Sequence, residues 1–252
     1  MAKDFLLEIG LEEIPAKFAP GVLTQLRELA EKHLKELRLD YESIKVYTSP
    51  RRFALLIIGL EEKQKDIATE VKGPAKKAAY DQEGNLTKAA QGFARSQGVD
   101  PEDLFVQDFK GVPYVYARKA ELGHPTAELL PKFCQDLING LHFPKPMRWA
   151  DLDFRFARPI RWLVSLYGNE VVPFTFIGLE SGKTSRGHRT LGSTVTIESP
   201  AQYIKAMGDA YVIVDQEERK EIIRKQIREL AAGVKGQVET DEGLLEEVTH
   251  IV

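Results

Sequence analysis

The sequence predicts an α+β fold: mixed, mostly antiparallel sheets with packed helices, arranged in two lobes. Three observations predict it. The first stretch of about 60 residues reads β-α-β-β, a compact unit in which a helix covers a small sheet. Strand and helix periodicities then mix without the regular βαβ spacing of a doubly wound sheet. No internal repeat or low-complexity segment interrupts them. The chain has 252 residues, enough for one large domain or two small ones, with 43% hydrophobic and 29% charged residues as in an ordinary globular protein. The expected division is a β-α-β-β N-terminal unit over residues 1–66 and a larger α+β region over 67–252. The second is expected to be truncated at its C-terminal end, because "DEGLLEEVTHIV" is amphipathic and stops on two apolar residues.

Each element has a local reason. "FLLEIGLEEIP" reads as a strand from Phe5 to Ile9, followed by a loop closed at Pro15. From Pro20 onward Val22, Leu26, Leu29, Ala30, Leu34 and Leu37 recur at helical spacing, giving an amphipathic helix of about four or five turns. "SIKVYTS" and "RRFALLIIGLE" are two β-type runs broken at Ser49-Pro50. Residues 61–80 are rich in Lys and Glu and carry Gly73-Pro74. Asp81 to Asn85 reads as a turn, Thr87 as the N-cap of a helix through Gln97, and Gly98 as its stop. Two strands are expected about Lys110-Gly111. Thr126 is expected to cap a helix whose apolar face is Leu129, Leu130, Phe133, Leu137 and Leu141. Gly168-Asn169 between β-rich runs signals a hairpin. "LESGKTSRGHRTLGS" reads as a loop, "SPAQYIKAM" as a short helix capped by Ser199, and "AYVIV" as a buried strand. Asp215, with Glu218 three residues on, starts a last helix whose buried face is Ile222, Ile223, Ile227 and Leu230.

Composition excludes several classes. Net charge is −3, so no global basic field announces a nucleic-acid partner and any such binding needs a local patch. Cys134 is the only cysteine, which excludes a disulfide scaffold and a thiolate zinc site; its place in an amphipathic helix predicts packing. The N-terminus carries acids within and after its apolar run, which is wrong for a signal peptide, and no apolar run approaches the roughly 20 residues that span a membrane. A cytoplasmic location without membrane contact is expected. His33, His124, His142, His188 and His250 form no HxxxH or HExxH pair, and neither a GxSxG elbow nor a GxxxxGK[ST] loop occurs. The residues thus offer no catalytic set and no metal ligand set. Adjacent Glu12 and Glu13 need not converge on one substrate.

The candidate chemistry is basic. Residues 145–168, "KPMRWADLDFRFARPIRWLVSLYG", interleave arginines with aromatics. Read as a strand, residues 160–167 put Ile160, Trp162, Val164 and Leu166 on a core face and Arg161, Leu163, Ser165 and Tyr167 on a mixed one. Arg155 and Arg158 precede the strand. As planar two-pronged donors they suit phosphate, while solvated charge or an ion pair with Asp151 or Asp153 explains them equally. "GKTSRGHRTLG" places Lys183, Arg186, His188 and Arg189 in a glycine-containing loop. Between residues 143 and 189 there are eight Lys or Arg against four Asp or Glu, a local excess that suits an RNA backbone or another anion. A basic loop without a ligand is the alternative. Lys76 and Lys77 lie in a third basic stretch, with Lys72, Lys88 and Arg95 against Asp81 and Glu83.

"FLLEIGLEEIPAKF", "SPRRFALLI", "KGPAKKAAYDQEGNLTKAAQGFARSQG", "PKPMRWADLDFRFARPIRWLVSLYG" and "GHRTLG" together resemble the N-terminal part of the beta subunit of bacterial glycine–tRNA ligase. The tandem of "MRW" and "RPIRWL" with "GHR" downstream is the specific part. The resemblance implies a heterotetramer of two alpha and two beta subunits that joins glycine to tRNA(Gly) in two steps, through a glycyl-adenylate. It places the site that uses ATP with Mg in the alpha subunit, so this chain is expected to bind no cofactor. The implied role of the chain is tRNA binding and subunit assembly. The family's later helical domain of the HD type and its anticodon-binding domain fall outside this chain, which has no His-Asp dipeptide. The front of the family also resembles the editing module of phenylalanine–tRNA ligase beta chains, although the missing catalytic set argues against active editing. The alternatives are a non-catalytic scaffold, a general RNA-binding module and a tRNA-editing-like domain. Arg155, Arg158, Arg186 and Arg189 are the leading tRNA contacts on this reading.

Overall fold

The computed structural model describes residues 2–151, 153–239 and 241–252. The chain opens with strand β1 (Lys3–Leu11), helix α1 (Ala19–Glu36) and strands β2 (Ser43–Ser49) and β3 (Arg52–Leu60). Next come β4 (Ile67–Ala75), α2 (Lys76–Ala79), α3 (Lys88–Gln97), β5 (Phe105–Phe109) and β6 (Val112–Glu121). Helix α4 (Thr126–Gly140) leads into the short strands β7 (Met147–Arg148) and β8 (Arg155–Phe156), and then into β9 (Ile160–Tyr167). Strands β10 (Glu170–Val171), β11 (Thr175–Phe176), β12 (Leu179–Gly182), β13 (Thr184–Arg186) and β14 (Thr194–Thr196) follow. Helices α5 (Tyr203–Asp209), α6 (Gln216–Gly233) and α7 (Glu242–Thr249) end the series. This is an α+β protein with mostly antiparallel sheets, as the sequence predicts.

The described chain forms two units, and their division differs from the one expected at residue 66. One unit takes the chain up to Glu62 and again from Pro125; the other is Lys63–His124. The cause is β1, which pairs antiparallel with β3 on one side and β9 on the other. The N-terminal segment and the strand after residue 160 therefore share one sheet, in the order β11-β12-β9-β1-β3-β2 with β10 hairpinned onto β9. Pairing between strands so far apart in sequence leaves no local signal.

Both faces of this sheet are buried. On one side Phe5, Leu7, Ile9, Phe53, Leu55 and Leu163 pack under α1 and α4. On the other, Leu6, Ala54, Leu56, Trp162 and Val164 meet Tyr203 and Met207 of α5. The expected mixed face of β9 is thus a second core face, with Arg161 as the one exposed residue of the strand. Ile160 does not share the side of Trp162. The register shifts between the Gly10 and Leu11 pairings, which turns Ile160 towards the helices.

Local chemistry explains most elements. The apolar stripe of α1 is buried at Val22, Leu26, Ala30 and Leu34. The Thr87 side chain accepts from the Ala90 N–H, and Gly98 ends α3 at φ 70°. Lys110 and Gly111 both take positive φ, 52° and 81°, in the turn between β5 and β6. Asp215 accepts from the N–H groups of Glu217 and Glu218 and starts α6.

Five expectations are corrected. The charged stretch after residue 61 contains β4, which pairs with β6 despite its exposed side chains. The loop at 179–193 contains β12, parallel to β9, and β13, which pairs with β14. "AYVIV" is not a strand. Tyr211 takes φ 62° and, with Val212, hydrogen-bonds back to Gly208 and Met207, so the segment closes the end of α5. Thr126 and Ser199 are not caps: Pro125 precedes α4 while the Thr126 hydroxyl donates to the Glu61 carbonyl at 2.5 Å, and Ser199 makes no capping bond. Last, the apolar face of α6 is open, with Ile227 41% and Leu230 73% exposed. The residue that helix buries is Arg219, whose guanidinium donates to the Thr249, Ile213 and Thr48 carbonyls at 2.7, 2.6 and 3.0 Å. Burial lowers its pKa to about 10.

Two outcomes follow from this packing. A Cβ on Gly10 would lie 1.9 Å from Trp162 Cε2. Gly10→Ala is expected to cost about 1–3 kcal/mol through overpacking, read as a lower urea midpoint; an unchanged midpoint would contradict the close approach. Cys134 is buried, 3.5 Å from the Ser165 hydroxyl, and burial pushes its thiol up to about 12. It is expected to resist a disulfide reagent at mildly alkaline pH until the chain unfolds, and rapid labelling of the native chain would refute this.

Candidate nucleic-acid interface

The site begins with a buried carboxylate. Glu8 sits in the middle of β1 with no exposed surface. Its Oε1 accepts from Trp162 Nε1 at 2.6 Å and from the Ser185 hydroxyl at 2.5 Å. Its Oε2 accepts from the Tyr203 hydroxyl at 2.5 Å and pairs with Arg52 Nη1 at 3.3 Å. Register explains the convergence. Gly10, two residues on and on the same face as Glu8, lies opposite Arg52 of β3 and Trp162 of β9, and its missing side chain leaves room for the indole. Burial first, and then the Glu8 charge, raise the Tyr203 hydroxyl well above its usual pKa, so it stays a donor.

This network fixes the basic loop. Arg52 Nη2 donates to the Arg186 carbonyl at 2.7 Å, and Ser185 is held by Glu8. The Arg186 guanidinium then lies 4.9 Å from the centre of the Trp162 ring, a cation–π contact. His188 staples the loop, since its Nδ1 accepts from the N–H groups of Thr190 and Leu191 at 3.2 and 3.1 Å. That is a structural use of the histidine.

Around the loop, arginines gather on two acids. Glu12 pairs with Arg161 at 3.3 Å, Arg189 at 3.5 Å and Arg51 at 3.9 Å. Glu13 pairs with Arg189 at 3.3 Å, and its carbonyl accepts from Arg158 Nε at 3.0 Å. Burial and then the nearby Arg189 hold the Arg51 guanidinium below its usual pKa, while Glu12 and Glu13 act in the opposite sense. A cleft of about 450 Å³ opens beside this cluster, lined in part by Arg51, His188, Arg189, Tyr211, Ile222 and Gln226. An anion there would meet planar guanidinium donors.

The predicted residues divide. Arg186, His188 and Arg189 come together, with Arg158 joined to them through Glu13. Lys183 is drawn off by Glu198 at 2.9 Å. Arg155 is exposed on β8 opposite Arg148, which itself pairs with Asp153 at 2.8 Å. Lys76 and Lys77 are exposed on α2, in the Lys63–His124 unit. Sequence reasoning missed Glu8 and Tyr203, left Glu12 and Glu13 without a role, and reads Arg51 and Arg52 of "SPRRF" as a solvated strand edge, whereas Arg52 is buried on Glu8. The available signal was a glutamate inside the apolar run "FLLEIG". Among the described residues no three or more His, Cys, Asp or Glu side chains converge as a metal site, and no helix is long and apolar enough to cross a membrane.

The chain's sequence matches an aminoacyl-tRNA synthetase subunit family. The family model for the glycyl-tRNA synthetase beta subunit matches residues 5–252, and the chain belongs to that family. Relatives named glycine–tRNA ligase beta subunit are similar throughout. The one from Desulfitobacterium hafniense is 71% identical over 252 residues, covering all of this chain and 36% of that protein. The one from Desulforamulus reducens is 53% identical over 253 residues, with the same coverage. The one from Halalkalibacterium halodurans is 50% identical over 250 residues, covering 99% of this chain and 36% of that protein. The chain therefore spans about a third of the length of the curated relatives it matches.

Glu8→Leu would leave Arg52, whose side chain is 3% exposed, as an uncompensated buried charge. The expected loss is about 3–5 kcal/mol in denaturant unfolding, and retention of wild-type stability would show that the carboxylate does not hold Arg52.

Proposed function

We propose that the chain acts as the N-terminal part of the beta subunit of a two-subunit glycine–tRNA ligase. In this reading it helps bind tRNA(Gly) and assemble with an alpha subunit, in an α2β2 cytoplasmic enzyme that attaches glycine to tRNA at the expense of ATP. The observation that carries the RNA-binding part is the arginine cluster, in which Arg51, Arg161 and Arg189 pair with Glu12 or Glu13, Arg158 donates to the Glu13 carbonyl, and Arg186 shares the Trp162 ring with Arg51. Guanidinium groups crowded beyond their local carboxylates suit phosphate, and the cleft beside them is open to it. The chain's own residues are assigned binding and positioning. Glycyl-adenylate formation with ATP and Mg is assigned to the alpha subunit, as the resemblance to the family implies.

One observation favours an assembly role beside RNA binding. Ile227, Leu230, Val234 and Leu244 are exposed along α6 and α7, more apolar surface than a solvated helix pair needs. Retention of the alpha subunit by this chain without tRNA would support assembly alone and remove RNA binding from the reading.

The affinity for tRNA(Gly) is expected to be dominated by phosphate contacts and to fall steeply with salt. Arg186→Ala with Arg189→Ala should weaken binding and lower the slope of log affinity against log salt by about two. Fluorescence anisotropy across a salt series reads both quantities, and an unchanged slope would remove the loop from the site. In aminoacylation, the alpha subunit with full-length beta should charge tRNA(Gly), and with this chain alone it should not. Restored charging would overturn the assignment of essential tRNA anchoring to the rest of beta.

A further inference from the structure

The Lys63–His124 unit carries a feature that the arginine cluster does not explain. Its three strands run in the order β4-β6-β5, all antiparallel. Residues directly opposite one another share a face, so the register sorts the side chains into two sets. Val115 and Ala117 of β6 are fully buried on one face, where Ala79, Ala90 and Phe93 of the helices pack. Phe93 lies so close over Gly73 that a Cβ there would meet its ring at 2.6 Å. That face is the core.

The other face is built differently. Phe105 stands opposite Tyr116, Gln107 opposite Tyr114 and Phe109 opposite Val112, while Lys72 faces Tyr116 and Glu70 faces Arg118 from β4. Four aromatic rings therefore share one face of a three-stranded sheet. Phe105 and Tyr116 stack with centroids 5.9 Å apart, and Phe109 meets Tyr114 edge-on at 6.4 Å. Cations lie among them. The Lys72 ammonium is 3.5 Å from the Tyr114 centroid and 4.0 Å from that of Phe109, and the Arg118 guanidinium is 5.3 Å from the Phe105 centroid. Lys110 reaches the Phe109 ring as well, at 5.6 Å. Phe109 is nonetheless 45% exposed.

We infer that this face is a stacking platform for single-stranded RNA, with Phe109 and Tyr114 at its centre and Lys72, Lys110 and Arg118 as phosphate contacts. Every base has a π-face, so a row of rings holds unpaired nucleotides whatever their sequence, and interleaved cations follow the backbone. Charge selects the occupant. Three cations stand on this face against one carboxylate, Glu70, which pairs with Arg118 at 3.0 Å, and an apolar protein surface would have to desolvate all of them. A polyanion pairs with them instead. The inference deepens the reading of the chain as an RNA-handling protein and rests on it, but it uses different residues from the arginine cluster.

The test uses the 252-residue chain and a fluorescein-labelled oligouridine of about ten nucleotides at low salt. The wild-type chain should bind it, and Phe109→Ala with Tyr114→Ala should weaken binding roughly tenfold or more. Phe109→Trp, which keeps a ring, should retain it, separating lost stacking from a misfolded sheet. With 4-thiouridine in the strand, photo-crosslinks on the wild-type chain should fall between Phe105 and Tyr116. The inference is overturned if the wild-type chain does not bind, if the double variant binds as tightly as wild type, or if the crosslinks lie wholly outside Lys63–His124. It is also overturned if the double variant loses the alpha subunit while oligouridine binding is unchanged. Arg186→Ala with Arg189→Ala should weaken oligouridine binding less than the aromatic pair does, and a larger loss than the aromatic pair gives would overturn the inference. If the arginine pair leaves tRNA(Gly) binding intact while the aromatic pair does not affect it either, the reading of the arginine cluster fails separately.

Discussion

The Glu8–Arg52 pair is the constraint on which the larger unit depends. A carboxylate without exposed surface survives only when its oxygens are fully engaged, and here three neutral donors and a guanidinium engage them. Those donors come from β3, β9, β13 and α5, elements that are far apart in sequence, and converge on β1. The pair thus fixes the identity of the sheet face as well as its stability. Replacing it with apolar residues of equal volume would cost less energy than breaking it, so its value lies in specifying one arrangement. The polar network admits one register, because a slip of one residue would turn Glu8 towards the helix-covered core.

The same network carries consequences outward. Arg52 spends one nitrogen on Glu8 and another on the Arg186 carbonyl, and so ties the buried pair to the exposed loop. Arg186 then rests on the Trp162 ring, whose indole nitrogen is itself held by Glu8. The loop is thereby preorganised, and little ordering entropy remains to be lost when an anion binds. Glu12 and Glu13 complete the arrangement by holding Arg161 and Arg189 in place without neutralising the surface. Side-chain pairs on this surface are partly exposed and individually weak; what they fix is direction.

Two arrangements of cationic side chains coexist in one chain. The larger unit presents planar guanidinium groups on a rigid sheet rim, suited to the backbone of a folded RNA. The Lys63–His124 unit presents rings with ammonium and guanidinium groups set among them, suited to unpaired bases. An overall charge of −3 conceals both, because acids elsewhere outweigh these local excesses. Local composition, read in windows and then placed on faces, is the informative quantity.

The sequence by itself determined the α+β class, the long amphipathic helix, the paired strands before residue 61, and the turns at Lys110-Gly111 and Gly168-Asn169. It also determined the caps at Thr87 and Asp215. Each of these is a local matter of periodicity or backbone geometry, settled within a few residues. It identified the family for the same reason that it failed to explain its most specific stretch. In "RPIRWL", Trp162 crosses Gly10 and reaches Glu8, and nothing near it in the chain states that requirement. Tertiary structure alone decided that β1 joins β9, that both faces of the sheet are buried, and that the aromatic residues of β5 and β6 share one face. It also decided that the apolar stripe of α6 stays uncovered within this chain, since periodicity reports a stripe but not what packs against it. Strand partners, shared faces and buried ion pairs are relations between distant residues, and they acquire a value only when the chain has closed on itself.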